Sequence, residues 1–467
     1  MASIFFSLIL FLFSLIISPS SSTTITLTLS PLPKPKSFSN PWEFTFNLIN
    51  SSIKRALHLK NPKKNNTSSS SFHGTTNTSL YPRSYGGYSV SLAFGTPPQK
   101  IPLVFDTGSS LNWVPCTSRY ACFNCTLSGV DPSNITTFKP KLSSSTRIVG
   151  CKDPKCGWIF GPDVKSRCGP ECGSISNCTR ACPNYILEYG LGSTAGVSIY
   201  ETLDLPGTPV KDFLVGCSVL SIRQPEGIVG FGRAPTSLPN QLKLSKFSYC
   251  LLSHKLDDSP KSSKLTLTSI GNKNLKSEVE YTPLLKNPTS YPYLEYYYVN
   301  MRKITVGKKT VKLPNKYLTP NSNGNGGTII DSGTTFTFME RSLLNPLVKE
   351  LAAQYSNYKR AKDIEAQSGF GLCLNIISVQ PLQNVTFPEL VFHFKGGGKM
   401  VMPMSNYFSF VGDLGVVCLT IVTNDSPAAP SIPIGPAVIL GNYLQQNFYI
   451  EYDLENQRLG FKKEKCG

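Results

Sequence analysis

Leu103-Val104-Phe105-Asp106-Thr107-Gly108-Ser109-Ser110 decides how this chain reads. An apolar run delivers one aspartate, and a small, turn-forming Thr-Gly-Ser follows at once. The design returns 225 positions later as Thr328-Ile329-Ile330-Asp331-Ser332-Gly333-Thr334-Thr335. A carboxylate at the end of a buried strand is costly unless hydrogen-bonded, so a chain that builds one twice has a use for both. Two such aspartates brought face to face share a proton, one serving as base and the other as acid.

Each carboxylate turn is followed by an apolar turn containing glycine. The first is Gly227-Ile228-Val229-Gly230-Phe231-Gly232 and the second is Val438-Ile439-Leu440-Gly441-Asn442. The order occurs twice, so this is an internal repeat of domain size and implies two similar lobes. Tyr88 to Phe94 alternates with period two, and Gly95-Thr96-Pro97-Pro98-Gln99 turns the chain into Ile101–Asp106. Short strands separated by Gly, Pro and Asn recur to the end. Leu343, Leu344, Leu347, Val348, Leu351, Ala352 and Tyr355 instead follow helical spacing, which predicts a helix over 342–360. Lys, Asn and Pro accumulate over 271–296, where a lobe boundary fits.

The chain's 467 residues suffice for two or three domains, and a 40% hydrophobic share argues against disorder throughout. Its start, Met-Ala-Ser and then an almost wholly apolar Ile4–Ile17, reads as a secretory signal peptide over 1–22. That core is short of the ~20 residues a membrane span needs, and no membrane anchor is expected later. Sequons at Asn50, Asn65, Asn66, Asn77, Asn124, Asn134, Asn177, Asn384 and Asn424 agree with the secretory route.

Residues 23–82 read as a removable propeptide. They carry seven Lys/Arg, one acidic residue (Glu43) and an amphipathic stretch from Trp42 to Leu59. A basic amphipathic piece ahead of an acidic site suits a segment that covers the carboxylates until acid releases it; a plain disordered leader is the bland alternative. The formal charge of +18 leaves +12 outside this segment. Scattered surface charge explains it most simply, with acidic wall polysaccharide as a further partner class. No basic stripe interleaved with aromatics points to nucleic acid.

The motifs in order resemble the pepsin-like aspartic peptidases, and more narrowly their plant nepenthesin-like branch. The carriers are Phe105-Asp106-Thr107-Gly108-Ser109-Ser110-Leu111-Asn112-Trp113, Tyr189-Gly190-Leu191-Gly192-Ser193, Gly227 to Arg233, Asp331-Ser332-Gly333-Thr334-Thr335, Val438 to Phe448, and Tyr452 to Phe461. Coverage runs from about Tyr85 to Cys466. The resemblance implies a mainly β, bilobal fold with the active cleft between two related lobes, 83–278 holding Asp106 and 279–467 holding Asp331. It implies an aspartic endopeptidase, working as a monomer at acid pH on protein or peptide substrates. No metal or organic cofactor is required. Asp106 and Asp331 would hold one water, Thr107 and Ser332 would lock the two turns together, and Ser109 and Thr334 would hydrogen-bond the aspartates. Gly108 and Gly333 would let backbone approach the carboxylates. Tyr189 fits the tyrosine of a flap over the substrate, and Trp113 its partner. Leu191 departs from the polar residue usual in that turn.

Nine of the fourteen cysteines (Cys116, Cys122, Cys125, Cys151, Cys156, Cys168, Cys172, Cys178 and Cys182) crowd between the first aspartate and the flap. Cys122-x-x-Cys125 has zinc-like spacing, but a signal peptide favours disulfides. Nine is odd, so at least one partner lies among Cys217, Cys250, Cys373, Cys418 and Cys466. By resemblance, Cys373 and Cys418 would pair. His254 and His393 sit in no motif, and Asn321–Gly327 reads as a loop rather than a phosphate cradle. A catalytically silent binding or inhibitor protein of the same fold is the competing functional class. Such relatives lose one Asp-x-Gly or the flap tyrosine, and this chain keeps all three. Apoplast, cell wall and vacuole all remain open as destinations.

Overall fold

A computed structural model of the chain describes residues 24–31, 41–60, 86–125, 132–161, 164–169, 172, 178–190, 192–205, 208–253, 262–269, 278–289, 291–376, 388–411, 415–424 and 434–466. The expected signal peptide, Leu191, His254 and the sequons at Asn65, Asn66, Asn77, Asn177 and Asn384 lie outside these residues.

The chain folds as a mainly β, two-lobed molecule, and its repeat is visible in strand pairing. Strand Gln99–Asp106 runs parallel to Gly227–Gly230, with Phe105 opposite Val229 and Asp106 opposite Gly230. In the second lobe Thr328–Ile330 runs parallel to Val438–Leu440, with Ile330 opposite Leu440. Each glycine-bearing strand then takes an antiparallel neighbour on its other side, Trp113 against Ile228 and Phe338 against Ile439. The apolar-Gly turns thus lie beside the carboxylate turns because both copies share one local wiring.

Period-two burial in Tyr88–Phe94 puts Tyr88, Val90, Leu92 and Phe94 inside, as alternation requires of a strand with one face on the core. The core continues from the first lobe into the shared base. Phe105 packs edge-on to Phe231 at 4.7 Å between ring centroids, and Phe247 stacks on Tyr452 at 4.3 Å. The base is closed by the C-terminal hairpin. Phe448–Asp453 pairs with Leu244–Cys250 of the first lobe, and the Cys250–Cys466 disulfide pins the chain end to that strand. Such a bridge acts mainly by restricting the unfolded chain.

The seven disulfides use every cysteine. Cys116–Cys217 ties the strand after the first carboxylate turn to the sheet behind the flap, and Cys373–Cys418 links facing residues of two antiparallel strands in the second lobe. Cys122–Cys125, Cys151–Cys168, Cys156–Cys182 and Cys172–Cys178 staple the insert.

The helix expected over 342–360 spans Arg341–Gln354, burying Leu343, Leu344, Leu347 and Leu351. It stops early because Tyr355 turns into the core and Lys359–Arg360 is taken up as an edge strand against Cys373–Asn375. Two further elements lie in the segment read as a propeptide. Thr24–Pro31 forms a strand inserted between Ser263–Ser269 and Tyr88–Phe94. Pro41–Lys60 forms a 20-residue helix.

Candidate active site

The two carboxylate turns meet between the lobes. Asp106 and Asp331 are both buried, and each sits in an equivalent cradle. Asp106 accepts from the Gly108 amide at 2.9 Å and from the Ser109 hydroxyl at 2.6 Å. Asp331 accepts from the Gly333 amide at 2.9 Å and from the Thr334 hydroxyl at 2.5 Å. In each cradle the glycine amide takes Oδ1 and the hydroxyl takes Oδ2, so both oxygens of each carboxylate are held in place. The turns are cross-braced: the Thr107 amide donates to the Ser332 hydroxyl at 3.0 Å, and the Ser332 amide donates to the Thr107 hydroxyl at 2.9 Å. The Ser332 hydroxyl in turn donates to the carbonyl of Phe105 at 3.1 Å. A side chain at Gly108 would collide with Asp331, its Cβ falling 2.6 Å from Oδ1, so only glycine permits the carboxylates this approach.

Behind the turns, Asn112 donates to the Thr236 carbonyl at 2.7 Å and accepts from the Gly230 amide. In the second lobe Asn442 donates to the Ser332 carbonyl at 2.9 Å. Polar groups at buried turns have to be matched in this way, and here they fix the loops that carry the aspartates.

Tyr189 lies at the end of the hairpin formed by Tyr185–Glu188 and the strand starting at Ser193. Its hydroxyl accepts from the indole of Trp113 at 2.7 Å, with the rings 6.5 Å apart. Burial, with Asp106 nearby, raises the Tyr189 phenol well above its ordinary range, so it remains a neutral hydroxyl.

Helix Pro41–Lys60 fills the cleft. Arg55 Nη2 donates to both oxygens of Asp106 at 2.8 and 2.9 Å, and Nε approaches Asp331 Oδ2 at 3.4 Å. One guanidinium therefore spans both carboxylates. Burial works against its charge, but Asp106 and Asp331 outweigh that and hold it protonated. For Asp331, burial pushes the carboxyl up; Arg55 pulls it down, Asp106 pushes it further up, and the Thr334 and Gly333 hydrogen bonds pull it down. The net direction is upward. The Tyr189 hairpin lies against the helix: a Cβ on Gly190 would lie 2.6 Å from the Cα of Arg55.

The helix is seated by its apolar face. Leu48 and Ile49 pack with Phe336, Phe370 and Tyr443, while Ala56 and Leu59 pack with Tyr293, Tyr296 and Phe338. Ser52 accepts from the Phe336 amide at 2.8 Å. His58 is pushed down to about 4, mainly by burial and secondarily by the charge of Arg55.

Several of these residues escaped the sequence reading. Arg55 is one of seven basic residues in its segment, and only the helical phase that sets it on the face of Ser52, Ala56 and Leu59 singles it out. Strand Thr24–Pro31 had a visible signal, the alternation Thr24-Ile25-Thr26-Leu27-Thr28-Leu29. Glu295, which shares a hydrogen bond with Ser110, gave none; burial first, and then Asp106, raises its carboxyl to about 7. Among the described residues no cluster of three or more His, Cys, Asp or Glu could hold a metal ion.

Two family models match the chain, described as xylanase inhibitor N-terminal over residues 88–269 and xylanase inhibitor C-terminal over 296–463. The chain is 32% identical over 428 residues to a probable aspartyl protease of Arabidopsis thaliana, covering 81% of this chain and 82% of that one. It is 30% identical over 391 residues to aspartic proteinase nepenthesin-1 of Nepenthes gracilis, covering 82% and 78%. Among solved structures, basic 7S globulin from soybean superposes with a TM-score of 0.60 at 16% identity, covering 95% of this chain and 98% of that one. Conglutin gamma from lupine seeds does so at 0.59 and 17%, covering 95% and 96%. At these identities the solved structures speak for the pepsin-like fold alone. The chain belongs to the pepsin-like aspartic protease family of plants, on its nepenthesin-like branch.

Proposed function

We propose that this chain is a secreted aspartic endopeptidase made as a latent precursor. The single observation that carries the reading is the guanidinium of Arg55 spanning Asp106 and Asp331, because a group that touches both carboxylates occupies the place a shared water would take. With the helix gone, one carboxylate takes a proton from that water while the water oxygen adds to the peptide carbonyl carbon. The other, protonated, carboxylic acid donates to the carbonyl oxygen. As the C–N bond breaks, the carboxyl that took the water's proton gives it to the leaving nitrogen, and a hydroxyl of the tetrahedral species returns its proton to the other carboxylate, which restores the dyad. The Thr107–Ser332 brace keeps the carboxylates opposed, and the Tyr189 hairpin covers the peptide.

In this reading 1–22 is the signal peptide and 23–82 the propeptide, with lobes at 83–278 and 279–467. The seven disulfides support an oxidising, secretory route. Acid would loosen the latch twice over: protonating Asp331 removes a counter-charge from Arg55, and protonating buried His58 sets a second cation beside it. The test is cleavage of a denatured protein at acid pH by acid-treated wild type and by Asp106→Asn. Cleavage that persists undiminished in Asp106→Asn would sink the assignment.

A binding protein without turnover is the second reading, favoured by the xylanase-inhibitor descriptions of the matching family models. Against it stand both Asp-x-Gly turns and Tyr189, all intact in this chain.

A further inference from the structure

The C-terminal residue of the cleft helix is held in a site of its own. Lys60 is 6% exposed although it carries an ammonium, and three kinds of group converge on that ammonium. It pairs with the carboxylate of Glu340, donates to the carbonyl oxygen of Pro436 at 2.9 Å, and lies 5.3 Å from the centre of the Phe338 ring. A carboxylate, a carbonyl and an aromatic face are a chemically complete receptor for a primary ammonium.

The receptor belongs to the second lobe, not to the helix. Glu340 is the residue before helix Arg341–Gln354, and its side chain makes no hydrogen bond to that helix, which leaves the carboxylate free to face the cleft. Backbone contacts complete the site. The Tyr293 hydroxyl donates to the Lys60 carbonyl at 2.7 Å, and the Tyr296 hydroxyl to the Leu59 carbonyl at 3.2 Å. Gly435, at φ +70°, lets the wall come against the Lys60 main chain, where a Cβ would fall 2.5 Å from its Cα. Burial pulls the Lys60 ammonium down, and Glu340 pulls it back up.

We infer that Glu340, the Pro436 carbonyl and Phe338 form a lysine-selective side-chain subsite of the substrate cleft, filled here by Lys60 and open to a lysine of a bound peptide once the helix leaves. The inference rests on the peptidase reading and names part of its specificity. Lys60 follows Arg55 by five residues, about 7.5 Å along a helix axis. An extended peptide covers that distance in about two to three residues, so the favoured lysine lies within that range of the cleaved bond. The choice of lysine also fits the charge that faces the site, the carboxylate of Glu340.

The test walks lysine, norleucine or glutamate through the positions on either side of the scissile bond of one fluorogenic peptide, using acid-processed full-length protein. A buried ion-paired hydrogen bond of about 1.5–3 kcal/mol corresponds to a preference for lysine over norleucine of about 10–100-fold in kcat/KM at one position. That ratio should collapse toward one in Glu340→Gln. In Glu340→Lys, glutamate should become the favoured residue at the same position. A ratio near one everywhere in the wild type, or a lysine preference that survives both substitutions, overturns the subsite.

A second arm needs no turnover. A synthetic 41–60 peptide should bind the processed protein about tenfold more weakly when norleucine replaces Lys60. Discrimination in this arm without cleavage of any peptide would keep the ammonium site and overturn the peptidase reading. Cleavage without discrimination in either arm would do the reverse.

Discussion

Thr107 and Ser332, 225 residues apart, exchange hydrogen bonds, each hydroxyl accepting from the other's amide at 3.0 and 2.9 Å. Both residues are buried, so neither amide has water to fall back on. Thr107→Val or Ser332→Ala should each strand one amide, at about 1–3 kcal/mol. In lobes of this size that lowers Tm by about 2–4 °C per kcal/mol. Because the two bonds form one unit, the double variant should lose less than the sum. Calorimetry on the three variants checks it, and strict additivity would contradict a single brace.

Arg55 is the latch. Arg55→Met leaves two buried carboxylates facing each other with no counter-charge, a loss of the kind that costs about 3–5 kcal/mol. The helix should then undock at neutral pH, and limited proteolysis within 41–60 should run at least about tenfold faster than in wild type. Unchanged protection at neutral pH would show that the apolar face of Leu48, Ile49, Ala56 and Leu59 holds the helix without help.

In the same reading, His58 sets part of the pH at which the helix would let go. Docked, its imidazole is pushed down to about 4; free, it returns to the ordinary value of 6.5. The docked state therefore binds fewer protons, and its advantage erodes as pH falls from 6.5 toward 4. His58→Gln should move the release midpoint to lower pH. It should not abolish release, because Asp331 still titrates against Arg55. The pH at which activity first appears, compared between wild type and variant, is the readout. No shift, or a shift upward, would remove His58 from the trigger.

Tyr189 couples its hairpin, the proposed flap, to the strand of Trp113. Tyr189→Phe keeps the ring and deletes that bond. Its expected effect is a several-fold fall in kcat/KM with Tm within about 2 °C of wild type, since the hairpin stays paired. A loss of stability comparable to the Thr107 variants would make the contact structural instead.

Much of this was legible in the residues. Two apolar-Asp-x-Gly turns and two apolar-Gly turns gave the two-lobed β fold, because a repeated motif order forces repeated wiring. Period two placed Tyr88–Phe94, and period 3.6 placed most of Arg341–Gln354. What stayed hidden depends on contacts between distant segments. Arg55 and Lys60 look alike in a basic stretch until a folded cleft shows one meeting Asp106 and the other meeting Glu340. Glu340 follows Asp331 by nine positions in a run with no motif, and only the path of Thr337–Met339 brings it to the cleft wall. Apart from Cys373–Cys418, expected by resemblance and found paired, the cysteine partners had to wait for geometry, since sequence order alone allows many pairings.

The central claim is most directly tested by incubating acid-treated wild type and Asp331→Ala with a denatured protein substrate at acid pH, with and without pepstatin. Cleavage by wild type that disappears in Asp331→Ala and is blocked by pepstatin is the expected result. Equal cleavage by both proteins, or none by wild type after the 41–60 helix is confirmed to have left, would contradict the assignment of a working Asp106/Asp331 dyad.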